Sequence, residues 1–125
     1  MKRMRKALVI PGLIVALTLV ALSTANTYGV PTVEIQFVDV MPAEVAAVEF
    51  VVEGLKCRGT SMGFARLISG LPGVVSLTTY TRARKAVVEY DPAEITPDEI
   101  RASYEAPIVR DGREYRVFTT ISQSP

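Results

Sequence analysis

Between residues 47 and 121 the hydrophobic pattern keeps switching period, and the order of the switches admits very few folds. Residues 47–53 (AVEFVVE) put Val48, Phe50 and Val52 at spacings of two, a strand pattern. Over residues 61–70 and just beyond, Phe64, Ile68 and Leu71 fall at spacings of four and three, one face of a helix. Leu71-Pro72-Gly73 closes that helix, with Gly73 suited to a left-handed cap. Residues 74–80 (VVSLTTY) and 86–90 (AVVEY) are strand-like around a polar turn at 82–85, so they read as a hairpin. The next helix start is well marked. Thr96 suits the cap, Pro97 the first helical position, and Glu99 closes a capping box, with Ile95 and Ile100 as a hydrophobic staple. That helix runs to about Ala106 before Pro107. Asp111-Gly112 is a turn signal, and residues 115–121 (YRVFTTI) are the last strand-like run.

Strand, helix, strand, strand, helix, strand is the split βαβ order. It predicts an α+β, ferredoxin-like βαββαβ sandwich: a four-stranded antiparallel sheet with two helices on one face. Residues 33–37 (VEIQF) also alternate, and they either add an edge strand or lead into the domain. The expected organisation is a leader at 1–25, a linker with that extra strand at 26–46, the domain at 47–121 and a frayed polar tail at 122–125. A chain of 125 residues holds one modest domain. The part after the leader supports a small core but not a large buried catalytic cleft.

The leader has three parts. Lys2, Arg3, Arg5 and Lys6 precede an uncharged apolar run at 7–22, and small residues follow at Ser23, Thr24 and Ala25. That is the pattern of a secretory signal. Read through Ala25, the run also suits an uncleaved membrane anchor, since a bilayer-spanning helix needs roughly 20 residues. Both readings put the positive end in the cytoplasm and the rest outside, in a periplasmic or other extracytoplasmic space.

Composition excludes several chemistries. There is no His and one Cys, so Ser-His-Asp and Cys-His catalysis, a Cys/His zinc site and an internal disulfide are all out of reach. Four of the 14 basic residues lie in the leader, and without them 10 basic residues face 13 acidic ones, a net of −3. No nucleic-acid partner is expected of such a domain.

Several anchors fall in register with a known family. Gly54-Leu55-Lys56-Cys57-Arg58-Gly59-Thr60 is followed by Phe64, Ile68, Leu71, Gly73 and Val74, then by Ala86-Val87-Val88-Glu89-Tyr90-Asp91. This stretch resembles the heavy-metal-associated domain of copper chaperones, mercury-scavenging periplasmic proteins and the N-terminal modules of metal-pumping ATPases. The resemblance covers residues 52–106. It implies the ferredoxin-like fold and binding of a soft metal ion such as Cu(I) or Hg(II) by a Gly-Met-x-Cys-x-x-Cys loop. Cys57 matches the first ligand, Thr60 stands at the second, and Leu55 stands for the Met. A hydroxyl is a hard, neutral and poor partner for Cu(I).

Three routes would complete a soft site: the Met62 thioether, the Cys57 of a second copy in a homodimer, or a thiolate from a metal-transport or envelope partner. Met62 also reads as packing filler, and Thr60 as the N-cap of the helix at 61–70. Lys56 and Arg58 flank Cys57 ahead of a helix N-terminus, and both features favour thiolate. A lone exported thiol could instead form an intermolecular disulfide, or have no role. Arg82, Arg84 and Lys85, with Lys56, Arg58 and Arg66, make either a positive face for an acidic partner or a solvated turn. The expected function is therefore an exported domain that binds or hands on a soft metal through Cys57, and not an enzyme. The alternative is a metal-free interaction module of the cell envelope.

Overall fold

The computed structural model describes residues 29–125. The leader at 1–25, its cleavage and its anchoring lie outside the described residues, as do residues 26–28 of the expected linker. The compact unit is Pro31–Pro125. Its elements are β1 (Val33–Gln36), β2 (Ala46–Glu53), α1 (Arg58–Ser69), β3 (Val74–Tyr80), β4 (Lys85–Tyr90), α2 (Pro97–Glu105), β5 (Ile108–Arg110), β6 (Arg113–Tyr115) and β7 (Thr119–Ser124). No helix among the described residues is long and apolar enough to cross a membrane.

The main sheet runs β1-β3-β4-β2-β7 with every neighbour pair antiparallel. Four of its strands, β2, β3, β4 and β7 in chain order, reproduce the split βαβ arrangement, with β7 at one edge. The sheet has five strands and not four, because residues 33–36 pair along β3 from Val33↔Thr79 to Gln36↔Ser76. The lead-in is thus an edge strand. Thr32 fixes its start: its N–H donates to Thr79 O at 2.7 Å, and its hydroxyl shares a hydrogen bond with that of Thr81 at 2.8 Å.

The core lies between the sheet and the two helices. Val48, Phe50 and Val52 alternate inward along β2, with Leu77, Ala86 and Val88 from β3 and β4. Phe64 and Ile68 of α1 and Ile100 and Tyr104 of α2 close over them. The Phe64 ring lies 4.5 Å from Tyr104 and 5.2 Å from Phe118, centroid to centroid. Ser61 and Thr79, the buried polar pair, satisfy each other at 2.9 Å. Burying aromatic and branched side chains on one face of each element is what stabilises a domain this small.

Several boundaries differ from the sequence expectation. The last strand is not 115–121. Residues 108–115 form a separate hairpin, β5–β6, around Asp111 (φ 52°) and Gly112 (φ 74°), the two left-handed residues of a primed two-residue turn. The strand along β2 is 119–124, so residues 122–124 are paired with Glu49, Phe50 and Val51 and are not a free tail. At the end of α1, Gly70 caps in ordinary right-handed geometry. Gly73 (φ 90°) supplies the left-handed residue three positions later, at the turn into β3.

Candidate functional site

Strand β2 ends at Glu53, and four residues carry the chain to α1. Gly54 adopts φ 103°, and a Cβ there would lie 2.3 Å from Val117 O. Only glycine meets both conditions. Leu55, at the place of the family Met, is fully buried and pins the loop to the core. Lys56, Cys57 and Arg58 are exposed.

The sequence reading of Thr60 as N-cap is corrected here. Helix α1 begins at Arg58, and Cys57 is its N-cap, in extended geometry (φ −156°, ψ 179°). Thr60 is the third helical residue. Its Oγ1 accepts from the Lys56 and Cys57 backbone N–H groups, both at 2.9 Å, and donates to Cys57 O at 2.9 Å. This is a capping box with the hydroxyl at the far position and sulfur at the near one. The start was misplaced because Arg58 and Gly59 carry no apolar periodicity.

These contacts set the chemistry of the thiol. The Thr60 backbone N–H, the Thr60 hydroxyl (3.7 Å from Sγ) and the Gly59 backbone N–H all stabilise negative charge on sulfur, in that order of effect. They hold the Cys57 thiol below its ordinary value of 9.0 against a small opposing effect of burial. The N-terminus of α1 acts in the same direction, and no acidic side chain lies in its first turn. Cys57 is free and exposed.

Met62 is also exposed, on α1. Cys57 lies outside the helical turns, as the N-cap in extended geometry, and Met62 is the fifth residue of α1. Thr60 is the side chain that reaches the Cys57 sulfur, at 3.7 Å, while Ser61 is buried against Thr79. Among the described residues no three His, Cys, Asp or Glu side chains gather as a metal-ligand group. Beside α1 runs a shallow apolar groove of about 380 Å³, lined by Gly59, Gly63, Leu67, Ile108, Val117 and Phe118. The sequence analysis missed the part contributed by Ile108 and Val117; the Asp111-Gly112 turn was the only signal for that hairpin.

No protein-family profile matches the chain, and no curated protein matches it. Among solved structures, the crystal structure of oxidized MerP from Ralstonia metallidurans CH34 is similar at 19% identity and a TM-score of 0.48, covering 63% of this chain and 100% of that one.

Proposed function

We propose that the chain is an exported domain of heavy-metal-associated type that takes up a soft metal ion, of copper or mercury kind, through Cys57 and hands it on without catalysing a reaction. The observation that supports this reading is an exposed thiol at a helix N-cap beyond the end of β2, with hydrogen-bond donors that favour its thiolate form. Thiolate is the form that soft metals select. Thr60 uses its hydroxyl to build the loop, so the second soft ligand comes from outside this loop: the Cys57 of a second copy, or a thiolate of a metal-transport partner. The Met62 thioether, exposed on α1, is the route within one chain.

A Cu(I) competition titration of the reduced domain, from residue 26 onward, tests this beside Cys57→Ser and Met62→Leu. Affinity that rises with protein concentration and vanishes in Cys57→Ser supports sharing between two copies. Concentration-independent affinity lost in both variants assigns Met62. Affinity equal to that of Cys57→Ser at every concentration, with no recovery on adding a dithiol partner peptide, rejects the metal reading. The metal-free envelope interaction module would then stand in its place.

A further inference from the structure

We propose that the Cys57 end of this domain docks on the surface of an anionic lipid bilayer. The domain is acidic as a whole, but the fold separates its charges. Three segments meet at the end of β2. The hairpin tip is held there by the Val52 N–H donating to Arg84 O at 2.8 Å. The start of β7 is there because Glu53 pairs with Thr119. The β5–β6 hairpin reaches it through Ile108, which lines the groove beside Gly59 and Thr60. Over segments 53–60, 80–85 and 106–119, eight basic residues face three acidic ones. The opposite end is built from segments 37–46, 70–75 and 89–100, which carry seven acidic residues and no basic one.

The basic end is open. Lys56, Arg58, Arg82 and Arg84 are exposed, as are Arg110 and Arg113. The two described ion pairs, Lys85–Glu49 and Arg101–Glu105, use none of these six. Apolar side chains stand among them: Ile108, Tyr115 and Val117 are 38%, 48% and 47% exposed. Arginines interleaved with tyrosine and aliphatic residues suit the headgroup layer, where guanidinium meets phosphate and the apolar bodies sink to the acyl boundary.

The path of the chain favours lipid over an acidic protein. Thr32 is bonded to Thr79 and Thr81, so the chain arrives from residue 31 at the basic end. Upstream, the sequence holds the apolar run at 7–22, and the inference rests on reading that run as a membrane segment.

Co-sedimentation of residues 29–125, which contain the whole described core, tests the inference. The probes are phosphatidylcholine vesicles with and without phosphatidylglycerol, at low and high salt. Preferential binding to the anionic vesicles is expected, weakening at high salt. Each neutralised arginine in Arg82→Gln, Arg84→Gln and Arg113→Gln is expected to lower partitioning about fivefold. Asp39→Asn with Glu44→Gln, at the other end, is expected to leave it within twofold. Far-UV circular dichroism checks that each variant is folded. Cys57→Ser should bind vesicles normally, which separates this result from that of the metal titration. Equal partitioning onto both vesicle types overturns the inference, as does unchanged binding by the folded triple arginine variant. Capture of the basic end by an acidic protein without any vesicle preference overturns it too.

Discussion

At Cys57 the side chain that looked most like a damaged ligand turns out to build the loop. Thr60 occupies its position because one hydroxyl can serve two backbone donors and one backbone acceptor in the first turn of α1. Iodoacetamide alkylation of Cys57 should therefore show a midpoint below the ordinary thiol value of 9.0. Thr60→Val should move that midpoint upward and cost about 1 kcal/mol of stability from the lost cap, read by urea unfolding. The sign follows from the direction of the shift. A depressed folded value stabilises the fold above the unfolded pKa, and that contribution is lost as pH falls through the folded value. Gly54 makes a sharper prediction. Gly54→Ala must place a methyl against Val117 O in a backbone region that L-residues avoid, and should cost about 2 kcal/mol or more in urea unfolding. Cys57 could be singled out as a candidate from its being the lone thiol. The exchange of roles between Cys57 and Thr60 could not, because it depends on where the helix starts.

At the scale of elements, α2 is the part best specified by local sequence. Thr96 accepts from Glu99 N–H at 3.3 Å and donates to Glu99 Oε1 at 3.2 Å, with Ile95 and Ile100 buried on either side of the cap. Thr96→Ala should cost about 1 kcal/mol by thermal or urea unfolding. Tyr104 ties this helix to β7 through the Thr120 hydroxyl. Burial pushes its phenol up to about 12 from 10.0, with smaller effects from that hydrogen bond and from nearby charges. A raised folded value gives stability that is complete below pH 10 and is lost as pH rises towards 12. Urea unfolding at pH 8 and pH 11 should show this loss, and Tyr104→Phe should flatten it. The main helices and strands were legible because each buries one face at a clear period. Hairpin β5–β6 was not: its strands are three residues long and exposed throughout, so burial leaves no alternation in them. Residues 122–124 misled for a related reason, since a polar edge strand is held by its backbone pairing with β2 and not by its side chains.

At the scale of the whole molecule, one aromatic cluster joins both helices to the sheet. Phe64 touches Tyr104 and Phe118, and Phe50 meets Tyr104 at 5.3 Å. Phe64→Ala should cost about 3–5 kcal/mol. Against a total of about 5–15 kcal/mol for a domain of this kind, that should broaden or abolish the cooperative thermal transition followed by circular dichroism. The separation of charge has a consequence for range. Strand β2 has eight residues, about 27 Å from one end to the other, while salt at physiological strength screens charge over about 8 Å. A surface that touches one end of the molecule is electrically blind to the other. On the proposed docking, the local positive end and not the net negative charge decides what the domain settles on. As it approaches a negative surface, it turns before it touches.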